Sequence, residues 1–200
     1  MVEAMSKGEL TRQRIIAEAA PLFNQRGYVG CSMQDVMDAT GLEKGALYRH
    51  FASKEELAVE ALRYALANSI RTRVENLDEI EGSVNQLRYM IRHFLVSPSL
   101  LPGGCPLMNT AIDSDDGNPM LREVAREWMQ AWKGRIEAVV KRGIARGEIR
   151  RQVEPRRIAN TLVATLEGAL MVSRLEGTKS AMDDAQASLQ VVLDGIAVRS

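Results

Sequence analysis

The sequence predicts an all-α fold, and three observations carry that expectation. Ala, Leu, Glu and Arg are abundant whereas aromatic residues make up only 4% of the chain, a composition that favours helices over strands. Apolar residues recur three and four apart behind recognisable capping residues. No stretch of useful length alternates apolar and polar residues as a half-buried strand would. The 200 residues, 46% hydrophobic and 26% charged, match globular averages, and such a chain buries a core without disulfide or metal staples.

The first ten residues read as a frayed tail. From Thr11 to Arg26, Ile15, Ile16, Ala19 and Phe23 form an apolar stripe among Arg12, Arg14, Glu18 and Arg26, and Gly27 supplies a C-cap. Pro21 removes the hydrogen bond to Ala17, so a kink is expected there. Ser32, with Asp35 three residues on, caps a short helix that runs to Thr40 and breaks at Gly41. Glu43 to His50 gives a third helix of two turns, from which Phe51 and Ala52 exit. Ser53-Lys-Glu-Glu56 is a capping box opening a long helix to about Leu77. Gly82 to Val96 reads as the next helix. Ser97 to Pro106 holds two Ser, three Pro and two Gly and interrupts the pattern. A short helix near Leu107–Ile112 and an acidic turn, Asp113 to Gly117, follow. Asn118-Pro119 joins an N-cap to a proline at the first helical position and starts a helix to about Arg146, ended by Gly147. Pro155 starts one to about Glu176, ended by Gly177, and Ser180 caps a last one to about Val198. A boundary near Ala52–Ser53 separates residues 9–53 from a helical body, residues 54–200.

The stretch SMQDVMDATGLEKGALYRHF, Ser32 to Phe51, has helix-turn-helix arithmetic: two short helices around Thr40-Gly41-Leu42. Val36, Met37, Leu42 and Leu47 are spaced to bury between the helices. The second helix needs only its first turns in a major groove. Lys44 can reach guanine acceptors or a phosphate, and Ala46 can pack on a thymine methyl. Gly45 and Ala46 are small enough to let the backbone approach base edges. Tyr48, His50, Ser32 and Lys54 can bond phosphates, Lys54 at the head of the next helix.

AEAAPLFNQRGY and the block SMQDVMDATGLEKGALYRHFASKEEL resemble the DNA-binding domain of the tetracycline-repressor (TetR) family, most specifically in the string from Gly41 through Leu57. The resemblance implies an N-terminal three-helix DNA-binding domain, residues 9–53, and a C-terminal ligand-binding and dimerisation domain, residues 54–200. It implies base reading by Lys44, Gly45 and Ala46 and phosphate contact by Tyr48, His50 and Lys54. It adds Ser32 and Gln34 at the start of the preceding helix and Thr11 on the first helix, with Arg49 on the exposed side. It also implies a homodimer that binds a palindromic operator on double-stranded DNA as a repressor and releases it on binding a small molecule.

Pairing is expected from the residues too, since one two-turn helix buries too little to bind specifically. Ile158, Leu162, Thr165, Leu166, Ala169, Leu170 and Val172, then Ala187, Leu189, Val191, Val192, Leu193 and Ile196, form broad stripes that suit either a four-helix interface or a core. Ala164 and Gly168 permit close helix approach. The body is expected to hold a largely apolar pocket, with Tyr64, Tyr89, His93, Phe94, Cys105, Met108, Ile112, Trp128 and Trp132 as candidate lining. GGCPLMNTAID, Gly103 to Asp113, resembles a block near the ligand cavity in a subset of the same family, which implies Asn109 and Asp113 as polar anchors. An alternative is a thiol sensor using Cys105, which sits at a possible helix start.

Other classes are excluded on the sequence. Lys and Arg number 26 and Asp and Glu 26, so a histone-like, uniformly basic binder is ruled out. No zinc spacing, nucleophile elbow, P-loop or HExxH occurs, and no metal, cofactor or catalysis is expected. No run of about 18 apolar residues exists to span a membrane. Two isolated cysteines and no signal segment read as cytoplasmic.

Overall fold

The computed structural model describes residues 5–96 and 101–198, without side chains at 72–74; Ser97 to Leu100 of the expected breaker segment lie outside the described residues. Among the described residues are nine α-helices: α1 (Lys7–Gly30), α2 (Met33–Thr40), α3 (Lys44–Leu47), α4 (Lys54–Val74), α5 (Ser83–Val96), α6 (Pro106–Asp113), α7 (Pro119–Ala145), α8 (Pro155–Glu176) and α9 (Ser180–Ile196). A 3-10 turn covers Leu77–Glu79. The fold is all-α as expected, and one isolated bridge joins Ile149 to Ala197.

Four local expectations are corrected. Helix α1 starts at Lys7 rather than Thr11, because Ser6 and Glu9 form a reciprocal capping box: Glu9 N–H donates to Ser6 Oγ at 3.2 Å and Ser6 N–H to Glu9 Oε2 at 2.7 Å. The backbone stays helical through Pro21 and leaves the helix at Gly27, φ 72° and ψ 171°. Proline's fixed φ is itself helical, whereas Gly27's conformation is open essentially to glycine alone. Helix α3 is a single turn, Lys44–Leu47, tightened beyond its end by His50 N–H to Leu47 O at 3.0 Å. Ser180 is the first residue of α9 rather than its cap, which is Lys179, without a side-chain bond.

The chain forms two compact units, Met1–Ser69 with Ser99–Trp128, and Ile70–Pro98 with Met129–Ser200. In the first, Ile15, Ile16, Ala19, Val36, Leu47, Phe51 and Leu57 make a core joining α1 to α4. Residues of the sequence motif are thus fixed from beneath: Leu47 and Phe51 are fully buried, and Arg12 of α1 lies 4.6 Å over the Phe51 ring while pairing with Glu56 and Glu60 of α4. In the second unit, Leu87, Ile91, Phe94, Ile136, Val140, Leu162, Leu166, Leu189 and Leu193 form the core. Arg88 of α5 binds Asp194 of α9 at 2.7 Å and Gln190 at 3.3 Å. Arg150 N–H donates to Ile196 O, and Val198 N–H to Glu148 O, each at 2.9 Å, so the α7–α8 connection lies against the end of α9.

Candidate nucleic-acid interface

The helix-turn-helix is built by two chain reversals. Gly41 caps α2 in the left-handed region, φ 65°, which a side chain would resist. The capping box at the head of α2 closes both ways: Asp35 N–H donates to Ser32 Oγ at 3.1 Å and Ser32 N–H to Asp35 Oδ2 at 2.7 Å. Ser32 Oγ also donates to Asp35 Oδ2, at 2.6 Å, and Arg26 of α1 pairs with the same carboxylate. The hydrogen bonds from Ser32, and then Arg26, pull Asp35 down to about 2 from its ordinary 3.8. Ser53 accepts from Glu56 N–H at 3.1 Å, and Glu56 Oε2 accepts from Ala52 N–H at 2.8 Å, which fixes the chain between α3 and α4.

On this frame the residues singled out from the sequence divide into groups. Lys44, Gly45, Tyr48 and Arg49 are exposed, and Ala46 and His50 are half-buried. Lys44 Nζ lies 6.0 Å from the Tyr48 ring centroid, the outer limit of a cation–π contact, so its ammonium is only loosely held. Tyr48 is 42% exposed although Leu47 beside it is fully buried. Nothing lies within 4 Å of the position a Gly45 side chain would take. Lys54, at the first position of α4, sits 4.4 Å over the Tyr28 ring, a partner the sequence alone did not single out. Gln34 is exposed but donates to Asp38 Oδ1 at 2.7 Å, and Thr11 Oγ1 donates to Lys7 O at 2.9 Å. Ser32, Gln34 and Thr11 therefore already hold intramolecular bonds, whereas Lys44, Gly45, Tyr48 and Arg49 present a polar, open face.

Asn109 and Asp113 have partners of a different kind from a ligand. Asn109 Nδ2 donates to Asn24 O and Asn24 Oδ1, each at 3.1 Å, and to Gly103 O at 3.0 Å. Asn24 Nδ2 donates to Pro102 O at 2.8 Å and to Gly104 O at 3.3 Å. Asp113 Oδ2 accepts from Tyr28 N–H at 2.9 Å. A Cβ on Gly27 would stand 2.9 Å from Asp113 Oδ1, and one on Gly103 2.9 Å from Asn24 O. These groups clasp α6 to the C-terminal end of α1, directly before the helix-turn-helix. Sequence reasoning missed Asn24 in this role; the Gly-Gly pair at 103–104 and Gly27 were the available signals of close approach.

The remaining candidates fall in two places. Tyr64 packs against the first unit's core; in the same unit Cys105 is buried, Met108 and Trp128 are half-buried, and Ile112 is 68% exposed. Tyr89, His93, Phe94 and Trp132 form two stacked pairs in the second unit: Tyr89 on His93 at 4.6 Å and Phe94 on Trp132 at 5.6 Å. Tyr89 OH donates to Glu75 O at 2.6 Å. Both cysteines are buried, and burial pushes the Cys31 thiol up.

The two C-terminal stripes are resolved by burial. Ile158, Leu162, Leu166, Leu189, Leu193 and Ile196 belong to the second unit's own core. A different set stays on the surface: Ala164, Met171 and Leu175 of α8, with half-buried Gly168 between them, and Ala187, Val191 and Gly195 of α9. Leu175 is 80% and Val191 72% exposed.

Comparison with known proteins agrees in both halves. Residues 15–61 match the model for bacterial regulatory proteins of the tetR family, and residues 83–189 the tetracyclin repressor-like C-terminal domain. The HTH-type transcriptional repressor DhaR of Mycobacterium sp. (strain GP1) is 27% identical over 173 residues, 86% of each chain. A TetR transcriptional regulator from Chloroflexus aurantiacus is 42% identical, with a TM-score of 0.91 over 96% of this chain and 98% of that one. A TetR-family regulator from Cytophaga hutchinsonii is 32% identical, with a TM-score of 0.92 over 99% of this chain and 100% of that one. No helix among the described residues is long and apolar enough to cross a membrane.

Proposed function

The chain belongs to the TetR family of bacterial regulatory proteins, and on that premise we propose a ligand-released repressor that binds a palindromic operator as a homodimer in the cytoplasm. The observation that carries the reading is the open face of α3: Lys44, Gly45 and Tyr48 stand exposed on a turn whose other side, Leu47 and Phe51, is fully buried. Such a face suits a major groove, with Lys44 at base edges and Tyr48, Arg49, His50 and Lys54 on phosphates.

The surface stripes of α8 and α9 support the homodimer. Ala164, Gly168, Met171 and Leu175 are spaced four, three and four apart, which aligns them on one helix face. Small residues at 164, 168, 187 and 195 permit close packing, and Met171, Leu175 and Val191 supply apolar area. Two chains joined there present two reading turns to a two-fold symmetric site. The effector is a small, largely apolar molecule, and Tyr89, His93, Phe94 and Trp132 are the residues assigned to it in the second unit. Its effect passes to the reader through α4 and α7, the helices that start in the first unit and end in the second.

Fluorescence anisotropy with the DNA upstream of the protein's own gene tests the reading. Tight, salt-sensitive binding is expected, with Lys44→Ala plus Tyr48→Ala lowering affinity at least about tenfold, since a good base contact contributes about 1–3 kcal/mol. Binding indifferent to both substitutions removes α3 as the reading element.

A further inference from the structure

We propose that the α7–α8 connection carries a second polyanion-binding face, formed by Arg150, Arg151, Arg156 and Arg157, that takes the phosphate backbone of duplex DNA without sequence preference. Between Lys141 and Arg157 the chain places seven cations, Lys141, Arg142, Arg146, Arg150, Arg151, Arg156 and Arg157, against two carboxylates, Glu148 and Glu154. The chain as a whole is neutral, so this is a segregated charge. All seven cations are exposed.

Both carboxylates are already engaged. Glu148 Oε2 accepts from Ser83 N–H, its Oε1 lies 4.0 Å from Arg146, and Glu154 caps α8 by accepting from Arg156 N–H at 3.3 Å. Lys141 pairs with Glu137 and Arg142 donates to Gln86. Among the described residues, no ion pair within 4.0 Å is made by Arg150, Arg151, Arg156 or Arg157. A tight turn, with Val153 N–H donating to Arg150 O at 3.1 Å, and the first turn of α8 hold the four on adjacent stretches of chain.

The fold does not explain this placement. Cations at the end of α7 suit the helix dipole, but Arg156 and Arg157 occupy the first turn of α8, which has no acidic residue, and there positive charge opposes the dipole. The partner chemistry follows from what accompanies the charge. Between residues 141 and 157 no large apolar side chain is exposed; Val198, whose N–H donates to Glu148 O, is 50% exposed, but one valine is too little to anchor a protein interface or to wedge into a membrane. The four groups are all guanidiniums, whose planar fork matches phosphate oxygens bidentately. Duplex DNA is the polyanion that the α3 face brings to this protein on the reading proposed above, and the choice of DNA rests on that reading.

The test uses the full chain with its reader disabled by Lys44→Ala and Tyr48→Ala. Such a protein should still bind a short random-sequence duplex at low salt. Adding Arg150→Gln, Arg151→Gln, Arg156→Gln and Arg157→Gln should lower that affinity at least about tenfold. The slope of log affinity against log salt should flatten by about 3.6 per chain, at about 0.9 for each phosphate that is no longer neutralised. In the intact-reader background the same four substitutions should leave binding to an operator-length duplex unchanged. Their melting temperature should equal or exceed that of the parent. If the fourfold variant misfolds, Arg156→Gln with Arg157→Gln carries the test with half the change in slope. An unchanged slope overturns the proposal. So does retention of anionic phosphatidylglycerol vesicles, or of polyglutamate, with preference over the duplex.

Discussion

Gly45 is open where a methyl group would meet nothing, so the fold itself does not require a glycine there. Glycine weakens a helix by up to about 1 kcal/mol relative to alanine. Gly45→Ala should therefore raise the melting temperature slightly while weakening operator binding, a pairing that calorimetry and anisotropy on one sample would reveal. Loss of stability together with affinity would assign Gly45 a structural role instead. Asp35 makes the complementary case, a charged residue that serves the fold. Its depressed pKa, about 2, means that its stabilisation is complete above the ordinary carboxylate value and is lost as pH falls through about 2. The gap in melting temperature between wild type and Asp35→Asn should be widest near neutrality and close between about pH 4 and pH 2. At this scale the exposed face of α3 was legible: Lys44, Gly45 and Tyr48 stand exposed, as the proposed reading role requires. Ser32 and Gln34 were less so, because the bonds they already make to Asp35 and Asp38 depend on side-chain rotamers that spacing does not specify.

Helix boundaries followed wherever capping chemistry is local. Pro155 and Gly177 bound α8, and Gly41 ends α2, as their residue types require. The Ser6-Lys-Gly-Glu9 box was equally present in the sequence, yet its pull extends α1 into a segment whose polarity suggested fraying. The clasp between α1 and α6 was not legible, since it joins residues about eighty positions apart through amide groups with no distinctive pattern. Its energetics are testable. Gly27→Ala forces a side chain into a positive-φ site and to 2.9 Å from Asp113, and should cost at least about 1–3 kcal/mol. Asn109→Ala leaves acceptors of Asn24 and Gly103 without their donor and should cost about 1–3 kcal/mol. Hydrogen exchange at the Tyr28 amide, which Asp113 accepts, should accelerate in Gly27→Ala and Asp113→Ala alike. Protection unchanged in both would show that the clasp contributes little.

Assembly belongs to the scale of the whole molecule. Leu175→Glu with Val191→Glu, both far out on the surface of a single chain, should leave the fold intact and shift sedimentation from dimer to monomer, with operator affinity lost alongside. A monomer that bound the operator undiminished would remove α8 and α9 from the assembly. Of the surface set, Ala164, Gly168, Ala187 and Val191 were singled out from the sequence and Met171, Leu175 and Gly195 were not, because a stripe broad enough to feed both a core and an interface does not announce which side faces inward. The composition of the first unit reaches further. It takes Ser99–Trp128 from the middle of the chain, and α6 and the start of α7 are tied to α1 and α4 through Asn24–Asn109 and through Asn118 to Glu55. A ribosome that has released only the first seventy residues has therefore made the helix-turn-helix without its brace. The brace arrives some sixty residues later, so a nascent chain stalled before that point should be open to protease at α1. The proposed reading face is thus braced only after translation has passed well beyond the residues that form it.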